Sequence, residues 1–130
     1  LGGSISYDVD MSTVTCGCIA AIYLVGAPAI NSSGQVWNTD GFWYCDGMQV
    51  GGAWCQEFDI MEANQYAFHS TVHTCDNPNS LGYISKCDTS GRCTEQAYDH
   101  PGNYGPGSSN VINSLKPYNV EIFFHPVAGS

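Results

Sequence analysis

Basic side chains are nearly missing from this 130-residue chain: Lys86, Arg92 and Lys116 stand against twelve Asp and Glu, for a formal net charge of -9. A surface so poor in cations has little to offer a phosphate backbone or an anionic leaflet, so nucleic acid and membrane are excluded as partners and a neutral or cationic ligand is expected. No stretch shows a helical period over three turns, no internal repeat is visible, and the cysteines lack C-x-x-C spacing. Those absences remove helical folds, repeat arrays and the common structural zinc sites. The most apolar run, "CIAAIYLVGAPAI", is broken by Gly26 and Pro28 and is too short to cross a bilayer, so it is expected to form buried β-structure. The opening "LGGSISYDVD" has neither a basic segment nor a cleavage-like end, and no signal peptide is read there.

What is present suits a small β domain. Apolar residues make up 43% of the chain, enough for the core of one compact unit. Seven cysteines are too many for an ordinary reduced cytosolic protein, so disulfides and a secretory compartment are the expectation. Because the count is odd, at least one cysteine is free, bonds another chain, or bonds a part of the protein outside this sequence. The acceptor triplet Asn31-Ser32-Ser33 is consistent with secretion.

"SISYDVDM" alternates with period two, Ile5, Tyr7, Val9 and Met11 against Ser4, Ser6, Asp8 and Asp10, which predicts a half-buried strand. Further strands are expected at 18–25, from about Trp54 to Glu62, in "FHSTVHTC", and in "YNVEIFFH". "FWYCDGMQVGGAW" reads as strand, turn, strand. "DNPNSLGYISKCDTSGRC" and "DHPGNYGPGSSN" read as loops, the first clipped by Cys75, Cys87 and Cys93. Fifteen Gly and six Pro punctuating short strands favour an antiparallel β-sandwich or barrel.

"WCQEFDIMEAN", residues 54–64, places Glu57, Asp59 and Glu62 within six positions of a strand, with no basic residue nearby in sequence. Glu57 and Asp59 share one face, with Phe58 and Ile60 toward the core, and a β-bulge around Ile60 and Met61 would bring Glu62 onto the carboxylate face. Outer positions then lie ~13 Å apart, and two glutamates leaning inward bring their carboxylates near the ~5 to 5.5 Å of a retaining glycosidase. Three close carboxyls cannot all ionise cheaply, so one pKa must rise, which separates a general acid from a nucleophile. The competing readings are a solvated acidic sheet face and a calcium site. The apolar flanks Trp54, Phe58, Ile60 and Met61 argue against the first, and the preference of Ca²⁺ for loop and carbonyl ligands argues against the second.

The residues "CQEFDIMEAN" resemble the catalytic strand of glycoside hydrolase family 7, the cellobiohydrolases and endoglucanases, a pattern shared with family 16. "TVHTC", with His73 eleven residues past Glu62, is similar to the family's Thr-Pro-His-Pro-Cys segment, with Val72 in place of a proline. "WYCDGMQ" and "NYGPGSSNVINSLKPYNVEIFF" resemble its Tyr-Cys-Asp and Tyr-Gly-Pro-Gly segments. The resemblance implies a concanavalin-like β-jelly-roll sandwich, with residues 1–130 as one partial domain from the central third of a catalytic domain. The remainder of the polypeptide, or a companion chain, would complete the sandwich.

It further implies a secreted retaining hydrolase of β-1,4-glucans that needs no cofactor or metal. Glu57 would be nucleophile, Glu62 acid/base and Asp59 the tuner of the nucleophile. Asp46, His73, Tyr44 and Tyr7 would line the substrate cleft, and Cys45 and Cys55 would form a disulfide. Trp43 and Trp54 are assigned to core packing, and Trp54 stands where family members often carry a cysteine. Only ten residues separate Asp46 from Glu57, too few for the family's tunnel-roofing loop, which implies an open cleft and attack on internal bonds. Two alternatives stand beside this reading: a non-catalytic glycan-binding or structural protein of the same fold, and a β-1,3 or mixed-linkage glucanase.

Overall fold

The computed structural model describes residues 2–37 and 43–126. Among them run β1 (Gly3–Val9), β2 (Ala20–Val25), β3 (Glu57–Ala63), β4 (Phe68–His73), β5 (Cys93–Gln96), β6 (Tyr104–Gly105), β7 (Ile112–Asn113) and β8 (Tyr118–Phe124), with 3-10 turns at Val50–Gly52 and Ala97–Asp99. The expected all-β class is what the chain adopts. The described residues divide into two compact units, one of Leu1–Ala20, Glu62–Phe68 and Gln96–Ser130, the other of Ala21–Met61 and His69–Glu95.

In the first unit β1 and β8 pair antiparallel from Gly3↔Phe124 to Val9↔Tyr118. Ile5, Tyr7 and Val9 are half-buried opposite half-buried Ile122, Val120 and Tyr118, while Ser4, Ser6 and Asp8 are exposed. The period-two pattern thus sets the register, because a one-residue slip would turn every apolar side chain outward. The Asn119 amide donates to Asp8 Oδ1 at 3.0 Å and to the Tyr7 carbonyl at 3.2 Å across the same pair. Tyr104 donates to the Asn64 carbonyl at 2.7 Å, its hydroxyl lies 3.0 Å from that of Tyr118, and its ring packs on Phe68 with centroids 5.7 Å apart. The loop "DHPGNYGPGSSN" contains a two-residue strand that was not anticipated, β6, which pairs in parallel with β7 just beyond the loop.

The second unit holds most of a four-stranded sheet ordered β2-β3-β4-β5. Residues 64–67 join β3 to β4, and so short a link between sheet neighbours makes that pair antiparallel. The unit's core is small: Ala29, Cys45, Ala53 and Cys55, with Val25 against them. Its disulfides are Cys45–Cys55, as the family resemblance implies, and Cys75–Cys87. Cys16, Cys18 and Cys93 are free and exposed.

Five expectations are corrected. The run expected to be buried does form β2, but Ile22, Tyr23 and Leu24 are 37%, 43% and 49% exposed. The strand lies at the sheet edge, and its end, Leu24 and Val25, lines an open groove with Phe58 and Val72. "FWYCDGMQVGGAW" is not strand, turn, strand over its described residues, because Gln49, Gly51 and Gly52 take positive φ (63°, 79° and 92°) and curl the chain into a 3-10 turn. The cluster strand consequently starts at Glu57 rather than Trp54, and the stretch read as loop ends in β5. Trp43, assigned to packing, is 48% exposed.

Candidate active site

The site is built where β3 and β4 run side by side. Glu57 and Asp59 lie two apart on β3, and His73 ends β4; all three are buried, at 8%, 6% and 8% exposure. Burying two carboxylates in so small a unit is costly unless each finds partners. Glu57 Oε2 accepts the Gly47 N–H at 2.9 Å, and Asp59 Oδ2 lies 3.1 Å from His73 Nε2. The other ring nitrogen, Nδ1, is 2.7 Å from the Asp88 carbonyl. A carbonyl only accepts, so Nδ1 carries a proton and donates it, and the contact to Asp59 holds a second, shared proton.

Burial pushes the Glu57 carboxyl above its ordinary value; the Gly47 N–H and His73 pull the other way, and Asp59 and Asp46 add to the rise. Burial alone would lower His73, but the Asp88 carbonyl and the charges of Glu57 and Asp59 outweigh it, and its pKa is raised. His73 as an imidazolium thus balances part of the carboxylate charge. Ligand atoms of Glu57, Asp59 and His73 lie within 4.8 Å of one another, the spacing of a cation site. With Nδ1–H held by the Asp88 carbonyl and Nε2 against Asp59, the three side chains form a hydrogen-bonded proton network.

The loop before β3 supplies the rest. Asp46 is buried, and its Oδ1 accepts from the Met48 and Val50 N–H groups at 3.0 and 2.9 Å, which folds the turn that aims the Gly47 N–H at Glu57. The Asp46↔Trp54 bridge and the Cys45–Cys55 disulfide tie the loop's ends together. Tyr44 is raised by its burial and by hydrogen bonds to Tyr23 and Asp46. Five of the residues singled out in the sequence, Glu57, Asp59, His73, Asp46 and Tyr44, therefore come together in one unit.

Glu62, half-buried on β3, and Tyr7, half-buried on β1, belong to the other unit. The Tyr7 hydroxyl is buried without a hydrogen-bond partner among the described residues. Asp59, expected to tune the nucleophile, bonds the His73 side chain. The tyrosine joined to Tyr44 is Tyr23, which sequence reasoning missed because it sits in an apolar run read as core. Gly47, Asp88 and Gly91 were missed as well. The signal for Gly47 was its place after an aspartate in a turn, whereas Asp88 acts through its backbone, which no side-chain pattern reports.

Fold and site define a class first: an all-β chain with buried acidic groups and a histidine on neighbouring strands. The chain resembles glycoside hydrolase family 7 over most of its length. A probable endo-beta-1,4-glucanase of Aspergillus clavatus is 30% identical over 92% of this chain and 34% of its own. The endocellulase EGI of Humicola insolens superposes with a TM-score of 0.67 at 25% identity, covering 91% of this chain and 36% of that one. A GH7 family cellobiohydrolase from Daphnia pulex, 24% identical, shares the fold with a TM-score of 0.63 over 91% of this chain and 37% of its own. No family model matches the chain. It spans about a third of the length of the curated relatives it matches.

Proposed function

We propose that this chain is the catalytic-strand portion of a secreted, retaining endo-β-1,4-glucanase, the central part of one jelly-roll domain. The observation that carries the reading is Glu57: a buried carboxylate held by the Gly47 N–H beside an Asp59–His73 pair, in a chain whose relatives are endoglucanases. The two disulfides fit secretion.

In this mechanism ionised Glu57 attacks the anomeric carbon while protonated Glu62 gives its proton to the glycosidic oxygen. The carbon–oxygen bond breaks and a glycosyl ester forms on Glu57. Water, deprotonated by the Glu62 carboxylate, then attacks the same carbon and frees Glu57, so two inversions give net retention. The mechanism needs Glu62 on the face of Glu57, where a β-bulge at Ile60 and Met61 would put it. Asp59, bound to His73, keeps Glu57 in place, and Tyr44, Asp46 and Tyr23 meet the sugar hydroxyls, with Tyr7 as a further cleft tyrosine. The short connection from Asp46 to Glu57 leaves the cleft open to internal bonds of a polymer.

The test is to incubate the intact protein with soluble β-1,4-, β-1,3- and mixed-linkage glucans and follow the newly formed anomer by NMR. Release of the β-anomer first, from β-1,4-glucan, is the expected result. Cleavage of β-1,3 bonds alone would correct the substrate, and no product from any glucan would favour a non-catalytic glycan-binding or structural protein.

A further inference from the structure

We infer that the turn Asp88–Arg92 is a clamp for the His73 ring, and that Asp88 is a positioning residue for the glycosidase reaction proposed above, on which this inference rests. The turn is organised by its own first residue. Asp88 Oδ1 accepts the Ser90 N–H and Oδ2 the Arg92 N–H, both at 3.0 Å, so one side chain holds the chain in a closed loop. The turn is anchored to β4 at its base: the Asp88 N–H donates to the Thr74 carbonyl at 2.7 Å, and the adjacent Cys87 is bonded to Cys75.

Its two inward contacts both fall on His73 or its neighbour. The Asp88 carbonyl accepts the Nδ1 proton at 2.7 Å. Gly91, at φ +59°, lies so close that a Cβ there would overlap the Thr71 Cγ2 and sit 3.1 Å from His73 Cε1. Ring rotation away from Asp59 is therefore opposed by the hydrogen bond to the carbonyl and by the close approach of the glycine backbone to Cε1. The charged groups around the imidazole are Glu57 and Asp59 from β3 and Asp88 in the turn, with exposed Arg92 pairing to Asp88 at 4.0 Å. With Nδ1–H held by the carbonyl, Nε2 is the nitrogen turned to Asp59, so the clamp sets the orientation of the ring in the network.

The experiment combines ¹⁵N NMR of the His73 ring in the intact protein with pH profiles of kcat and KM on a soluble β-glucan, for the wild type, Asp88→Ala and Asp88→Asn. Wild type is expected to show a slowly exchanging, hydrogen-bonded Nδ1 proton across the titration. In Asp88→Ala that proton should exchange freely and the His73 titration should move downward. In the same variant kcat should fall about tenfold or more with KM little changed, the pattern of lost positioning. Asp88→Asn, whose amide oxygen can still accept within the turn, should restore most of both.

A folded Asp88→Ala protein with the wild-type ring signal and pH profile would overturn the clamp. So would a freely exchanging Nδ1 proton in the wild type, an outcome that needs no variant to fold. The NMR signals require no turnover, so a protein inactive on every glucan would defeat the proposed function while the clamp is still tested.

Discussion

Replacing Glu57 by Gln is expected to cut kcat by ~10³-fold or more while raising the melting temperature at neutral pH. The glutamine oxygen still accepts the Gly47 N–H, so the loop before β3 keeps its anchor, but the proposed nucleophile is gone. The stability gain follows from linkage. Burial raises the Glu57 pKa in the folded chain, so its favourable contribution is present below the ordinary glutamate value and is lost as pH rises through the raised one. Above that window the folded protein carries a buried charge that glutamine avoids. The melting-temperature difference between variant and wild type should thus be positive near neutrality and shrink to nothing at acid pH, read by thermal melts across a pH series. The same shift places the acid limb of the wild-type activity profile above the ordinary glutamate range, because the attacking carboxyl must be ionised.

Gly47→Ala should be nearly as damaging, for a steric reason. A Cβ at this position would stand 2.5 Å from the His73 Cβ, 2.8 Å from its Cγ and 3.1 Å from Glu57 Oε2. Two of those neighbours belong to His73, whose ring is held at both nitrogens, so the strain must displace His73 or the Gly47 N–H. Overpacking of this kind costs about 1 to 3 kcal/mol, and a shift near 1 Å in the catalytic groups costs ~100-fold in rate. Steady-state kinetics beside a thermal melt separates the two effects. Activity close to wild type would mean that Gly47 does not support Glu57 in the working enzyme.

The elements legible in the sequence were those whose pattern is local. β1 and β8 alternate strictly, and their register and half-buried faces follow from that alternation. Glu57 and Asp59 were legible because strand periodicity carries them, and His73 because "TVHTC" resembles a family segment at the same spacing. The Gly47 contact to Glu57 and the Asp88 contact to His73 were not, because each is made by a backbone group whose direction depends on a turn. Asp46, expected in the cleft, also folds the turn through the two N–H groups that its Oδ1 accepts, which the cleft expectation did not include. β2 was misjudged for burial because an apolar run reports only that burial is favourable, not which residues of the chain lie over it.

The central claim, that Glu57 is the residue on which a glycosyl group is carried, is tested most directly by trapping. Incubation with an activated 2-deoxy-2-fluoro β-glucoside or cellobioside slows release of the ester, and peptide mass spectrometry then locates the label. The account predicts one sugar per protein, on Glu57 in "WCQEFDIMEAN". A label on Glu62 would reverse the two roles, and steady hydrolysis of natural substrate with no trapped ester on either glutamate would contradict the mechanism.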